Sequence, residues 1–193
     1  MIFRYPGGKG RTAPQILARM PEIIDDYAEP FTGGASVGLA AARKHPEAHI
    51  ALNDADRWVS CFWNVIIGEE EGFQRLVSFS KAKPTIQEFS RRRDLYKPQR
   101  YELRRSLCPE IVEAACNALF FNRTTFSGIF SSGPMGGVNQ AKNHLAMRWH
   151  KSLSQDLAEA RSLLKGRTRV ECVDFEKFID AHPNSFLYEI HLM

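Results

Sequence analysis

Cysteine and long apolar runs are both scarce in this chain. Its 193 residues include four cysteines, and no two of them form a CxxC pair. This disfavours a zinc site and a disulfide framework, so we expect no metal and buried free thiols at Cys61, Cys108, Cys116 and Cys172. No apolar stretch reaches the length of a membrane span, and the opening MIFRYPGGKGR lacks the apolar core of a signal peptide. We expect no membrane association and a cytoplasmic location.

The overall composition is ordinary, but the charge is unevenly distributed. Hydrophobic residues make up 44% of the chain, charged residues 25%, and the net charge is +4. Residues 81–105 alone contain nine lysines and arginines against three acids, with Phe89, Tyr96 and Tyr101 interleaved. Such a segment suits a surface that faces a polyanion, because neutralising phosphates releases counterions. A solvated helical face is the other interpretation, and charge alone does not decide between them.

Hydrophobic periodicity divides the chain into three parts. Residues 1–68 predict strands at YAEPF and HIALND. They predict helices at PQILARMPEIIDDY and SVGLAAARKH and a third helix through VSCFWNVI. This order of elements is typical of a parallel sheet. Residues 69–149 predict helices at EEGFQRLVSF, TIQEFSRRRDLY and PEIVEAACNALFFNR, followed by a long loop, TTFSGIFSSGPMGGVNQAKN. Residues 150–193 return to alternation, with helices at SLSQDLAEARSLLKG and DFEKFIDA and strands at TRVECV and SFLYEI.

The stretch EPFTGGASVG, residues 29–38, is a Gly-rich turn between a strand and a helix. Such a turn lets a ligand approach the backbone and presents amide donors at the start of the helix. Ala35 stands where GxGxxG would have its second glycine, and no GK[ST] follows. The stretch therefore indicates a nucleotide-type site, with a plain turn as the alternative.

An acidic residue follows the second predicted strand, in LNDAD. Asp54 comes about twenty residues after the Gly-rich turn, where a carboxylate can accept hydrogen bonds from both hydroxyls of a ribose. The alternative is that Asp54 or Asp56 caps the next helix. The two roles can coexist, with Asp54 binding and Asp56 capping.

Four separated stretches resemble the Dam-like adenine-specific DNA methyltransferases, which use S-adenosylmethionine. They are FRYPGGKGR, EPFTGGAS, LNDAD and LFFNRTTFSGIF, and in order they cover essentially the whole chain. The resemblance implies an α/β fold with a mostly parallel, Rossmann-like methyltransferase sheet of strand order 3-2-1-4, formed by residues 1–68 and 150–193. It also implies a helical DNA-recognition insertion at residues 69–149.

The resemblance assigns roles to individual residues. It implies that S-adenosylmethionine is bound by Tyr5, Gly8, Lys9, Glu29, Phe31, Gly33, Ala35, Ser36, Asp54 and Asp174. Asp174, in VDF, would accept from the cofactor's adenine amine, whereas the residues alone suggest only a helix cap there. Double-stranded DNA is the implied partner, contacted through Arg91, Arg92, Arg93, Asn122 and Arg123. The implied reaction is in-line methyl transfer to an extruded adenine.

The family's catalytic motif, Asp-Pro-Pro-Tyr, is missing from the end of the fourth strand. In the family its carboxylate and first proline carbonyl accept from the adenine amine, and its aromatic ring stacks on the base. The chain instead reads Glu189, Ile190, His191, Leu192 and Met193. We therefore predict that the 193 residues contain no catalytic group and transfer no methyl group.

A frameshift would explain the missing motif. Glu-Ile-His-Leu-Met can be encoded GAG ATC CAC CTT ATG, and the same bases read from the third one give GAT CCA CCT TAT, which is Asp-Pro-Pro-Tyr. One lost base would have left a C-terminally truncated chain whose fourth strand is an open edge for self-association. The alternative is a natural C-terminus that happens to permit this reading. Two other functions stay open: a non-catalytic DNA-binding or cofactor-binding module, and a nucleotide-binding protein unrelated to methylation.

Overall fold

Four parallel strands form the sheet at the centre of the fold. A computed structural model describes residues 2–4, 8–99 and 110–188, without the side chains of residues 95–99, 138 and 141–143. The strands are β1 (Asp26–Glu29), β2 (His49–Asn53), β3 (Thr168–Glu171) and β4 (Phe186–Leu187). They pair in the order β3-β2-β1-β4, and each pair is parallel. The predicted α/β class and strand order are confirmed, and the order reverses between β1 and β4.

Helices surround this sheet and fill the predicted insertion. They are α1 (Ala13–Leu17), α2 (Ser36–Lys44), α3 (Arg57–Ile67), α4 (Glu70–Lys81), α5 (Ile86–Gln99), α6 (Ile111–Thr124), α7 (Gly137–His144), α8 (Leu153–Leu164) and α9 (Phe175–Ala181), with a 3-10 turn at Phe126–Gly128.

Two local predictions were wrong. The helix predicted over PQILARMPEIIDDY stops at Leu17, and its last two residues belong to β1. Pro21 explains the early end, because proline has no amide proton and disfavours helical backbone at the preceding residue.

The predicted long loop contains α7, which begins at a glycine pair with left-handed φ angles of 86° at Gly136 and 71° at Gly137. The glycines form the turn into that helix.

One continuous hydrophobic core joins the sheet to the helical half. The central helix α3 has Trp58, Phe62 and Trp63 at most 2% exposed, and burial of each such side chain contributes about 2 kcal/mol or more. The same cluster of buried residues continues into α4, α6 and α8. Residues 69–149 therefore pack directly on the sheet-bearing half, and their role as a separate recognition domain stays a prediction.

Cysteines, metal groups and membrane spans were examined within the described ranges only. Cys61 and Cys116 are buried free thiols and Cys172 is a half-buried one, while Cys108 lies outside those ranges. Among these residues no three His, Cys, Asp or Glu side chains group closely enough to hold a metal ion. None of the helices between residues 2 and 188 that the structure describes has the length and apolarity needed to cross a membrane.

Candidate functional site

The carboxyl ends of β1, β2 and β3 are held together by one buried amide. Asn53, 1% exposed at the end of β2, donates from Nδ2 to the carbonyls of Pro30 and Val173, both at 3.1 Å. Its Oδ1 accepts from the amide of Val173 at 3.0 Å. The loops after three strands thus meet at one edge, where ligands bind in sheets of this kind. Sequence reasoning did not single out Asn53, although a polar residue ending an apolar strand was a usable signal.

The Gly-rich turn of residues 33–36 lies at this edge in a fixed conformation. Gly33 and Ala35 both have left-handed φ angles, 45° and 46°. Ala35 is fully buried, and a non-glycine residue persists in such a conformation only where its surroundings impose it. Trp63 Nε1 donates to the carbonyl of Gly33 at 2.9 Å. A Cβ on Gly34 would lie 3.0 Å from the carbonyl oxygen of Phe3, so the turn also packs closely on the N-terminal segment.

Asp54 joins this turn to the end of β2. One carboxylate oxygen accepts from the amide of Gly33 at 2.8 Å, and the other accepts from the amide of Asp56 at 2.8 Å. Asp56 itself caps α3 by accepting from the amide of Trp58 at 3.0 Å. The structure therefore brings together the two motifs that sequence spacing singled out, and it gives the capping role to Asp56. Ribose binding by Asp54 stays a prediction.

Three apolar side chains are exposed beside the strand ends. Phe31 is 44% exposed and Phe175 is 41% exposed, and their ring centroids lie 5.4 Å apart. Val173, 37% exposed, follows β3 in the same region. Asp174 is exposed and caps α9, accepting from the amide of Glu176 at 3.0 Å. Exposed aromatic faces of this kind suit a flat heterocycle.

Glu29 ends β1 but points away from the edge, into the interior. Only 2% of it is exposed, and its Oε2 accepts from the Tyr27 hydroxyl at 3.1 Å. Burial raises the pKa of the Glu29 carboxyl to about 8, and the charge of Asp54 acts in the same direction. Hydrogen bonds from the Tyr27 hydroxyl and the Gly38 amide act against that rise in pKa.

The remaining predicted cofactor residues lie at the start of the chain and of α2. Gly8 is exposed, and the carbonyl of half-buried Lys9 accepts from the amide of Ala13 at 2.7 Å, which begins α1. Gly10, Gly34 and Ser36 line one cleft, so the N-terminal segment and the Gly-rich turn lie side by side. Tyr5 and residues 189–193 lie outside the described ranges.

The three consecutive arginines of α5 have different surroundings. Arg91, whose side chain is 56% exposed, pairs with Glu88 at 2.7 Å. Arg92 is 7% exposed, pairs with Glu88 and with Glu113 at 2.8 Å, and stacks over an aromatic ring. Arg93 donates to the carbonyls of residues 130 and 132 at 2.6 and 2.7 Å. Only the guanidinium of Arg91, among these three, combines high exposure with contacts confined to its own helix.

Asn122 and Arg123 are buried and attach the N-terminal segment to α6. Asn122 accepts from the amide of Arg4 at 2.7 Å and donates to its carbonyl at 2.6 Å. Arg123, 4% exposed, donates to the carbonyls of Ile2 and Arg148. Burial lowers the pKa of Arg123 to about 10, with the charges of Arg4 and Arg148 acting in the same direction. DNA contact by Asn122 and Arg123 stays a prediction, and both side chains are inside the fold.

The turn after α6 exposes two large apolar side chains that sequence reasoning missed. Phe126 is 67% exposed and Ile129 is 41% exposed. Between them, Ser127 and Gly128 have left-handed φ angles of 55° and 77°. A Cβ on Gly128 would lie 2.5 Å from the carbonyl oxygen of Arg4, so the turn rests on the N-terminal segment. An aromatic residue inside a Gly/Ser-rich stretch was the available signal.

Comparison with protein families gave a match over most of the chain. The family model for D12 class N6 adenine-specific DNA methyltransferases matches residues 5–189, which include the Gly-rich turn, Asp54 and the turn after α6. No curated protein matches the chain significantly.

Proposed function

Because the chain belongs to the D12 class of N6 adenine-specific DNA methyltransferases, we propose that its strand-end edge binds S-adenosylmethionine and its helical half binds double-stranded DNA. The observation that carries the proposal is the bond between Asp54 and the Gly33 amide. It places a carboxylate and a Gly-rich turn next to each other at the carboxyl ends of two neighbouring parallel strands. A cytoplasmic location, with access to DNA, is part of the proposal.

The residues at this edge suit the parts of the cofactor. Asp54 would accept from the ribose hydroxyls, since a carboxylate oxygen has more than one lone pair and can accept more than one hydrogen bond. Phe31 and Phe175 would contact the adenine ring, and Asp174, being exposed, would accept from its amine. When bound, the cofactor supplies an electrophilic methyl group on a sulfonium.

The methionine end of the cofactor would lie on the Gly-rich turn. Ala35, the N-cap residue of α2, makes no side-chain capping bond, and the first turn of a helix presents amide donors that favour an anion. Ser36 would offer such a donor to the carboxylate. Gly33 and Ala35, whose amides donate to Asp54 and to the carbonyl of Thr32, would line the site with their backbone, with Gly8 and Lys9 beside them. Tyr5 is proposed from the family alone.

The DNA side is supported by the turn after α6. A methyltransferase reaches the adenine amine only after the base leaves the helical stack, and exposed apolar side chains can wedge between base steps. Phe126 and Ile129 are such side chains on a turn fixed by Gly128. Asn122 and Arg123 would support this turn and the N-terminal segment from inside, while Arg91 is the exposed candidate for a phosphate contact.

Catalysis is proposed to be absent from the 193-residue chain. The amide of Tyr188 donates to the carbonyl of Ala28 at 2.9 Å, so Tyr188 lies near the carboxyl end of β1. There the family has Asp-Pro-Pro-Tyr, and this chain has residues 189–193 without aspartate, proline or tyrosine. Preorganised acceptors for the target amine carry several kcal/mol of barrier reduction, and this chain lacks them. The alternative function, a non-catalytic cofactor-binding or DNA-binding module, is favoured by the same observation.

Calorimetric titration with S-adenosylmethionine tests the cofactor site. We expect the parent chain to bind and Asp54→Asn to bind at least tenfold more weakly, because an amide offers a single acceptor oxygen. Asp26→Asn is the matched control, since Asp26 begins β1 at the opposite edge of the sheet. Equal affinity in all three proteins would remove Asp54 from the site.

Duplex binding and radiolabelled methyl transfer test the rest of the proposal. Phe126→Ala is expected to weaken duplex affinity about fivefold or more, as stacking contributions of ~1–3 kcal/mol imply, without changing the unfolding midpoint. We expect no methyl transfer by the 193-residue chain. Transfer by the 193 residues themselves would contradict the proposed inactivity.

Self-association through β4 is proposed on one observation. In the part of the chain that the structure describes, β4 is hydrogen-bonded to β1 alone, and an unpaired strand edge is a template for pairing with another chain. Sedimentation velocity over a range of concentrations tests this, and a monomer at all concentrations would contradict it.

A further inference from the structure

Glu29 is a buried acid at the end of β1. It is 2% exposed, and within residues 2–99 and 110–188, as far as the structure describes them, no lysine, arginine or histidine forms an ion pair with it. A carboxylate in such a position would be costly, because burial removes water and neutral hydrogen-bond donors replace only part of the lost solvation. The surroundings therefore favour the uncharged acid.

The Glu29 carboxyl also caps helix α2, a role that the N-cap residue of a helix normally has. Helix α2 begins after Ala35, which has no side-chain oxygen and makes no capping bond. The amide of Gly38, in the first turn of α2, instead donates to the Glu29 carboxyl. Glu29 thus satisfies one of the free amides of the helix start from a neighbouring strand. A Cβ on Gly38 would lie 2.6 Å from Glu29 Oε2, so glycine is required there for the contact.

The groups that face Glu29 from the neighbouring elements are one anion and neutral hydroxyl and amide groups. The donors act against the rise in the pKa of Glu29, but the effect of burial is larger. From β1 itself, the Tyr27 hydroxyl donates at 3.1 Å. From the end of β2, the Asp54 charge disfavours a second negative charge at Glu29, and after β4 the neutral hydroxyl of Tyr188 lies near it. From α2 comes only the neutral Gly38 amide. Two donors hold the carboxyl in place, and the single charged neighbour is an anion.

We propose that Glu29 is a positioning residue: as an uncharged acceptor it fixes the first turn of α2, and with it the Gly-rich turn, without contacting the cofactor. The cofactor part of this inference rests on the proposed function. It replaces the direct cofactor contact that the family resemblance implies for Glu29, because the side chain lies behind the turn rather than on its open side.

Three variants distinguish this role from direct contact. Glu29→Gln keeps an acceptor oxygen and cannot ionise, Glu29→Ala removes the acceptor, and Tyr27→Phe removes one donor while leaving the Gly38 bond. We expect Glu29→Gln to bind S-adenosylmethionine within about threefold of the parent at pH 7, and Glu29→Ala to lose tenfold or more by freeing the Gly38 amide. If Gln binds as poorly as Ala while the parent binds well, Glu29 contacts the cofactor as a carboxylate and the inference is overturned.

Two measurements need no cofactor and keep the inference testable if the parent chain does not bind it. Between pH 5 and 7.5 the unfolding constant of the parent should rise by about tenfold per pH unit relative to Glu29→Gln, because the folded state alone keeps the proton. Amide hydrogen exchange at Gly38 should be slow in the parent and in Gln but fast in Ala. Parallel pH profiles, or equal exchange in all variants, would overturn the inference. Failed cofactor binding with these two results intact would reject only the proposed cofactor site.

Discussion

The strand-end edge and the arginine-bearing helices α5 and α6 are both rich in polar side chains, but the side chains of the two regions make different contacts. At the edge, Asn53 and Asp54 bind loop backbone, and Phe31 beside them is 44% exposed. In the helical half, Arg92 and Arg123 make their contacts inside the fold, with acids or carbonyls. The first arrangement leaves room for a ligand, and the second holds segments of the chain together. A count of charged residues therefore says little about a binding surface until the direction of each side chain is known.

The largest expected effect is on cofactor binding, from a substitution in the Gly-rich turn at the strand-end edge. Gly33→Val should abolish S-adenosylmethionine binding, because a β-branched residue resists the left-handed φ of 45° and its side chain would occupy the ligand's side of the turn. Titration calorimetry measures the binding. Gly133→Val is the control, since a Cβ at Gly133 meets no atom within 4 Å and should leave affinity unchanged. Tight binding by Gly33→Val would place the cofactor elsewhere.

An intermediate effect is expected on the free energy of unfolding, and it differs between two neighbouring arginines of α5. Arg92→Ala should lower the free energy of unfolding by about 3 kcal/mol, because it leaves Glu88 and Glu113 without their buried partner. Arg91→Ala should change it by less than about 1 kcal/mol, as for exposed ion pairs. Urea unfolding measures both.

The same pair of variants tests DNA contact. If Arg91 meets a phosphate, Arg91→Ala should reduce the slope of duplex affinity against salt by roughly one unit. An unchanged slope would return Arg91 to the solvated face of α5.

The smallest expected effect is a pH dependence in the helical half. Hydrogen bonds and ion pairs, first from Arg91 and then from Arg92, lower the pKa of Glu88 from 4.5 to about 2. A depressed folded pKa stabilises the protein above the unfolded pKa, and this contribution is lost as the pH falls from about 4.5 toward about 2. Glu88→Gln should remove about 1 kcal/mol at pH 6 and less at pH 2.5. Unfolding curves at the two pH values check this, and an equal loss at both would contradict it.

The strand-end motifs were predictable because chain order is enough to place them. An alternation of strands and helices predicts parallel pairing, parallel pairing brings the carboxyl ends to one edge, and Gly33 and Asp54 both follow strands. The α1 boundary was predictable in principle from Pro21, whereas α7 was hidden by glycines that form the turn before it. The interior positions of Asn122 and Arg123 were not predictable, since a helix pattern of mixed residues does not say which polar face is covered.

The sequence by itself determined the parallel α/β sheet, the Gly-rich turn and the acid beside it, because these depend on residues close together in the chain, while the strand order came from the family resemblance. Tertiary structure alone decided which polar groups lose contact with water. Glu29 faces Gly38 across the β1–α2 unit, and Arg123 reaches the carbonyl of Ile2 from 121 positions away along the chain. Whether a charge or an amide is buried depends on the segments that pack against it. Because those segments are far away in the sequence, a local sequence pattern does not predict the burial.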